Sequence, residues 1–383
     1  MRRRTIRELS RRPAGFSMVE LMVAMVIALI GTIVIFQVFE VFEERKRTTT
    51  SGGDAQQNGL FALFSVERDA RMAGFGINHL ALLGCSVRGY HQGPPARDFT
   101  FRLVAVQIAE GAAGAPDSVT FMFGNSDLLM TPVKLIRPKV AASVVQAVDN
   151  RYGFRPGDLI IAAQAGRDCT LNEVTGIPGT PGQTDNVIHN PGNYTNAQGA
   201  NVPARYNKAG GLGIDYAAWD NTTQSGGVLY NIGAAPTVVT YSVQNAQLAL
   251  QNLLLGGAAS GIVDGIVQLQ ARYGLDTNDD GAVEAWRDGC AAATDLPLGA
   301  GGACVAATAA DWARVIALRL AVVARSAQPE RPNPATGLCE TTTAAPTWFG
   351  GAITLAADPN WQCYRYRVLE TAVPIRNLIW KPA

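Results

Sequence analysis

Charge is scarce in this chain: Lys, Arg, Asp and Glu make up 16% of its 383 residues and nearly cancel, at a formal net charge of +1. No basic patch stands out, so nucleic acid is not expected as the main partner. Histidine is scarcer still, with only His79, His91 and His189. No HExxH, GxSxG or phosphate-loop pattern occurs, and each histidine is expected on the surface or in a loop, so an enzyme is not expected. Gly74-Phe75-Gly76 and Gly210-Gly211-Leu212-Gly213 read as turns, since neither has the strand, helix and acidic residue of a nucleotide site. CxxC is also absent, and with so few histidines a zinc site has no natural ligand set.

What is present points outward from the cytoplasm. Half the chain is apolar, enough for a substantial core, and 40 Gly with 20 Pro favour a β-rich body with long polar loops. Six scattered cysteines, Cys85, Cys169, Cys290, Cys304, Cys339 and Cys363, suit an oxidising compartment. Pairing of sequence neighbours would close the Cys290–Cys304 and Cys339–Cys363 loops. It is one of many connectivities open to six cysteines, and buried free thiols are the other reading.

The net charge hides an asymmetry. Arg2, Arg3, Arg4, Arg7, Arg11 and Arg12 face only Glu8 within the first fifteen residues, which leaves the rest mildly acidic. From Phe16 to Phe42 the chain is almost uninterruptedly apolar, long enough to cross a hydrocarbon layer of about 30 Å. Charges on its far side, Glu40, Glu43 and Glu44 against Arg45, Lys46 and Arg47, cancel, so the positive-inside rule puts the N-terminus in the cytoplasm and exports the body. An ordinary signal peptide has a shorter apolar run and a small-x-small cleavage site, which Val38 to Arg47 lack. A plain signal anchor would leave Glu20, one turn inside the membrane, without a purpose.

Ala14-Gly15-Phe16-Ser17-Met18-Val19-Glu20-Leu21 resembles the class III leader junction of type IV pilins and pseudopilins. The resemblance implies cleavage after Gly15 by prepilin peptidase and N-methylation of Phe16. It also implies a role for Glu20, the fifth mature residue, in pairing with the terminal amine of a neighbouring subunit during assembly. The chain departs from many major pilins in having Gln37 where they carry a mid-helix proline, so Gly31 is the only helix-weakening residue in the span.

The expected fold is α+β: residues 1–15 a leader, 16–53 a transmembrane and assembly helix, 54–76 an amphipathic continuation, and 77–383 an exported β-rich, pilin-like head. In the continuation, Asp54 is a candidate cap past Ser51-Gly52-Gly53, and Leu60, Phe61, Leu63, Phe64 and Met72 are expected to face the core. Strands are expected over Phe101–Ile108, Ser118–Phe123, Leu159–Ala163 and Thr237–Val243, and a buried strand over Trp312–Ser326. Residues 176–226, rich in Gly, Pro, Asn and Thr, read as a mobile excursion. Within it, Asn193-Tyr194-Thr195 and Asn221-Thr222-Thr223 match a weak glycosylation pattern.

Ile262 to Gln270 reads as a helix leading to an acidic loop over 276–288. Asp276, Asn278 and Asp280 alternate, with Gly281 next, as the first half of a calcium loop requires. Ala282 offers a carbonyl and Glu284 a carboxylate. Arg287 stands where a bidentate Glu is needed, so Asp288 or water would have to complete the shell. An Asx-rich turn is the competing reading, and calcium is the only cofactor expected.

Together with Arg71-Met72-Ala73-Gly74-Phe75-Gly76 and Val373-Pro374-Ile375-Arg376-Asn377, these features resemble a PilW-type minor pilin. The resemblance implies a subunit of the inner membrane, head in the periplasm, that later sits at or near a pilus tip. Its implied partners are other minor pilins, the major pilin, prepilin peptidase and an adhesin-like tip protein. A type II secretion pseudopilin and a tip-located adhesive binding module are the alternatives.

Overall fold

The computed structural model describes residues 15, 17–77, 79, 82–128, 131–180, 185–355 and 358–379. It divides into two units, one ending at Gly53 and one beginning at Asp54. A single helix, α1, covers Met18–Met72. It does not stop at Gly52-Gly53, so Asp54 lies inside the helix and caps nothing.

In the first unit, every described side chain from Met18 to Phe42 is exposed. The 26 residues Met18–Glu43 are long and apolar enough to cross a membrane. The Thr32 hydroxyl donates to the Ala28 carbonyl at 2.7 Å, which satisfies it without water.

In the second unit the helix buries Ala55, Gly59, Ala62, Val66 and Ala70, three to four apart along one face, with Leu63 beside them. These are mostly small, and the sheet comes correspondingly close: a Cβ on Gly59 would lie 2.4 Å from Leu369 Cδ1 and 3.2 Å from the Ala324 Cβ. Leu60, Phe61, Phe64 and Met72 are exposed, a correction to the expectation that they face the core. Bulky side chains would hold the helix off, so the small residues take the inner face.

The helix ends at Gly74, whose φ of 83° turns the chain away. A Cβ there would press on Ala105 at 3.1 Å and Leu378 at 3.2 Å. Asn377 donates its side-chain amide to the carbonyls of Met72 at 3.2 Å and Ala73 at 3.0 Å, satisfying groups that a helix end leaves open.

Three main sheets form the body. The six-stranded sheet runs in the order Arg97–Arg102, Ser86–His91, Cys169–Glu173, Leu159–Ala163, Val228–Gly233, Val133–Lys134. Its one parallel pair, Val87 opposite Cys169, starts beside the Cys85–Cys169 disulfide. The five-stranded sheet orders Ser260–Asp264, Gln247–Asn252, Thr237–Gln244, Ser118–Phe123, Val106–Ala109. The four-stranded sheet orders Ala285–Asp288, Ile266–Leu275, Val315–Arg325, Tyr366–Pro374. The remaining disulfides, Cys290–Cys304 and Cys339–Cys363, also join sequence neighbours.

Several segments depart from the expectation. Ile262–Gln270 is not helical: Gly265, at φ 74°, turns the chain from the Ser260–Asp264 strand into the Ile266–Leu275 strand. The β-branched Ile262, Val263, Ile266 and Val267 fit that state. Phe101–Ile108 divides between two sheets, with the buried Leu103-Val104-Ala105 at the crossing. Trp312 belongs to a short helix, Ala309–Ala313, started by a capping box between Thr308 and Asp311, and the strand begins at Val315. The 176–226 excursion holds short strands at Asn186–Ile188, Asn193–Thr195 and Asn201–Pro203. It also buries Val187, Tyr194, Ala204, Tyr206 and Tyr216. It is a packed layer rather than a loose loop, and Val187 and Tyr216 share a second core with Ile160, Ala162 and Leu229 of the six-stranded sheet.

The buried Tyr241 hydroxyl on the five-stranded sheet donates to Asp69 Oδ2 at 2.7 Å and lies 3.2 Å from the Ser65 carbonyl. Tyr241→Phe leaves the buried Asp69 short of a donor. It should lower unfolding stability by about 1–3 kcal/mol, read from denaturant unfolding of the full chain in detergent. An unchanged midpoint would show that this bond does not hold helix to sheet.

Candidate functional sites at the helix start and the acidic loop

Gly15 is exposed, while Phe16 and the arginine-rich residues before Gly15 lie outside the described residues. The helix opens immediately after them. Ser17 N–H donates to Glu20 Oε2 at 3.1 Å, and Val19 N–H donates to Ser17 Oγ at 3.3 Å. Ser17-Met18-Val19-Glu20 thus makes a reciprocal cap, and its S-x-x-E spacing is a readable signal that the sequence analysis passed over. It holds the Glu20 carboxylate at the N-terminal end of the helix, where the positive end of the dipole favours an anion. In a chain cut after Gly15 the new amine would be one residue before Ser17, so carboxylate and amine sit at the same end.

The acidic loop joins two strands of the four-stranded sheet, Ile266–Leu275 and Ala285–Asp288. Fully buried Asp276 anchors it, donating its N–H to the Arg314 carbonyl at 2.9 Å. Its carboxylate accepts from Asp280 N–H at 3.1 Å and Gly281 N–H at 2.9 Å. Asp280 accepts from Ala282 N–H at 2.8 Å, and Glu284 from Thr277 N–H at 2.7 Å. Asp279 and Gly281 both adopt positive φ, 63° and 85°, folding the loop back on itself. Carboxylate oxygens of Asp276, Asp280 and Glu284 come within 4.8 Å of one another, a grouping able to hold a metal ion. Asn278 sits beside them, its amide 3.1 Å from Asp280 Oδ2. Asp288 is elsewhere: it forms a two-pronged ion pair with Arg272, one contact at 2.9 Å, because the hairpin register sets Arg272 opposite it. The same carboxylates that could ligate a metal ion also cap their own backbone, as an Asx-rich turn does.

A second acidic group was not foreseen. Asp117 Oδ1 accepts from Gly111 N–H at 2.9 Å and Oδ2 from Ala271 N–H at 2.8 Å. Glu110 Oε2 accepts from Gly289 N–H at 3.1 Å. These residues stitch the turn before Ser118–Phe123 to the four-stranded sheet. Burial, with Asp117 and Asp288 nearby, pushes the Glu110 carboxyl up to about 7, and burial pushes Asp117 up to about 6. Isolated acids scattered through the sequence give no hint of this.

Residues 234–377 match the family described as Type IV Pilus-assembly protein W. Residues 10–36 match the Prokaryotic N-terminal methylation motif. The chain is thus similar to PilW-type pilus-assembly proteins over its C-terminal part and carries a pilin-type methylation motif at its N-terminus. The PilW match takes in the four-stranded sheet, the acidic loop and Asn377, whereas the six-stranded sheet and the excursion precede it. The methylation-motif match spans Gly15, Phe16 and Glu20. A solved type IV-like pilin from Thermus thermophilus aligns over 84% of this chain and 96% of its own, at 9% identity and a TM-score of 0.30. No curated protein matches significantly.

The raised acids give a pH dependence of definite sign. A carboxyl whose folded pKa lies above its unfolded value holds its proton more tightly in the native state, so its contribution is full below the unfolded value and is lost as pH rises through the folded one. For Glu110 and Asp117 that window runs from about 4 to about 7. The protein should melt higher near pH 5 than near pH 8, roughly across this window. Glu110→Gln, which keeps the acceptor for Gly289, should narrow the difference. An equal pH response in wild type and Glu110→Gln would remove Glu110 from the account.

Proposed function

We propose that this chain is a minor pilin, cut after Gly15 by prepilin peptidase and methylated on Phe16. It waits in the inner membrane with its N-terminus cytoplasmic and its head periplasmic, and enters the filament through its helix as part of the initiating or tip complex. The observation that carries this reading is a membrane-length, wholly exposed helix whose first turn holds one acid, Glu20, at the start of a recognised methylation motif. A carboxylate at that depth costs several kcal/mol, of the order given for intramembrane charges, unless it meets a partner. The amine of an adjoining subunit is such a partner. Its partners are other minor pilins, the major pilin and an adhesin-like tip protein. We read the role as structural, in keeping with the pilus-assembly family matched by its C-terminal part.

We also assign calcium to the Asp276, Asp280 and Glu284 cluster, with Asn278 and the Ala282 carbonyl beside it. Three carboxylates on one short loop supply the hard oxygen donors that this ion prefers, and their mutual repulsion would be relieved by it. The ion would pin the strand-to-strand connection of the four-stranded sheet.

Two substitutions test these assignments. Glu20→Ala should leave peptidase cleavage intact, with Phe16 still found N-methylated by peptide mass, while the subunit is largely lost from sheared filaments. Wild-type incorporation would remove Glu20 from assembly. Asp280→Ala should lower the melting temperature in calcium and have little effect in chelator. An equal loss in both would leave only a backbone-capping role for the loop.

A further inference from the structure

The excursion closes over an unusual set of polar side chains in the second core. Three segments meet at Val144. Residues 133–139 run alongside 145–149, with Ile136 N–H donating to the Ala147 carbonyl and Asp149 N–H to the Lys134 carbonyl, both at 3.0 Å. Val145–Ala147 pairs with Asn186–Ile188, and His189 N–H donates to the Val144 carbonyl at 2.9 Å. These segments carry Lys139, Gln146 and His189, which are 4%, 1% and 4% exposed; Gln146 stands opposite Val187, two residues before His189, and Lys139 acts electrostatically on His189.

These side chains lack the partners that burial demands. Neither amide atom of Gln146 has a hydrogen bond, nor does His189 Nε2. Lys139 makes no ion pair among the described residues; its ammonium faces the Tyr216 ring, 5.5 Å from the centroid, and Asp215 acts on it only from longer range. Burial lowers Lys139 to about 8, which leaves it a cation at neutral pH. Burial, reinforced by Lys139, pushes His189 down to about 3, so the imidazole is neutral. The group therefore carries one positive charge and several donors, with no carboxylate in ion-pair contact and only the more distant Asp215 opposing the charge. Water alone would satisfy the amide and the imidazole, but it would leave the ammonium with only the distant Asp215 carboxylate to oppose its charge.

We propose that Lys139, Gln146 and His189 form a buried site for a small monovalent anion of chloride size. Lys139 supplies the charge, and Gln146 Nε2 and the His189 ring N–H supply directed donors. The anion fastens the 133–149 segment to the Asn186–Ile188 strand, and so fixes the excursion to the six-stranded sheet. The site lies in the part of the chain that precedes the PilW match, so it belongs to this head rather than to the family core.

The test uses the full chain in detergent. Its melting temperature is measured in sodium chloride and in sodium gluconate at equal ionic strength, and crystals soaked in bromide are examined by anomalous scattering. Chloride should raise the melting temperature by several degrees over gluconate, and bromide should give a peak within contact distance of Lys139 Nζ. Gln146→Leu should weaken the chloride response severalfold, and Lys139→Met should abolish it. Equal melting in the two salts, or ordered water without bromide beside Lys139, would overturn the proposal. The wild-type measurements decide the matter even where a variant fails to fold.

Discussion

Everything in the head depends on how closely one helix approaches the sheets. From Asp54 onward α1 presents Ala55, Gly59, Ala62, Val66 and Ala70 inward. With no long side chains between, sheet residues such as Leu369 and Ala324 reach its backbone. Dispersion falls off steeply with separation, so this near contact is worth more per residue than a looser seat lined with leucine. It also tolerates little change, since a methyl at Gly59 would already collide with Leu369. Tyr241 to Asp69, and Asn377 to the carbonyls of Met72 and Ala73, fix where along its length the helix is held.

The scarcity of charge carries through to the electrostatics. Several buried acids are used as acceptors for backbone N–H groups: Asp117 for Gly111 and Ala271, Glu173 for Arg205 and Tyr206, Asp276 for Asp280 and Gly281. A carboxylate can take several such bonds at once, which suits it to pinning irregular chain between sheets. Glu110 and Asp117 illustrate the limit: burial raises both carboxyls, and repulsion from Asp117 and Asp288 adds to burial in bringing Glu110 to about 7.

Much of the architecture could be read from local pattern, and the misreadings have physical causes. Ser118–Phe123 and Leu159–Ala163 came out as read, because short apolar runs flanked by turn residues have few other fates. Ile262–Gln270 misled because an apolar run broken by one glycine fits a helix face or a tight turn between strands equally well, and only pairing with Val315–Arg325 decides. Leu60, Phe61 and Phe64 misled because size was taken as a guide to burial, whereas the approach of the sheet selected small residues. At the membrane end the leader junction was legible as a motif, but the Ser17–Glu20 cap that holds its acid in place was not noticed. In the acidic loop the donors Asp276, Asp280 and Glu284 do converge, while Asp288 was drawn off by a cross-strand arginine that linear spacing cannot reveal. The Lys139, Gln146 and His189 group had no linear signature, because three separate segments assemble it.

Asn377 sets an order of events. The carbonyls it covers, on Met72 and Ala73, belong to the helix that emerges early in synthesis, yet the covering amide lies 305 and 304 positions later. Until that stretch has been made, the helix end stays open, and the Leu378 side chain cannot fill the space beside Gly74. Contacts this distant in sequence form late and slowly. The anchor can therefore be in the bilayer long before the head it carries is finished. A chain interrupted before Asn377 would keep the helix but leave the carbonyls of Met72 and Ala73 without their amide donor.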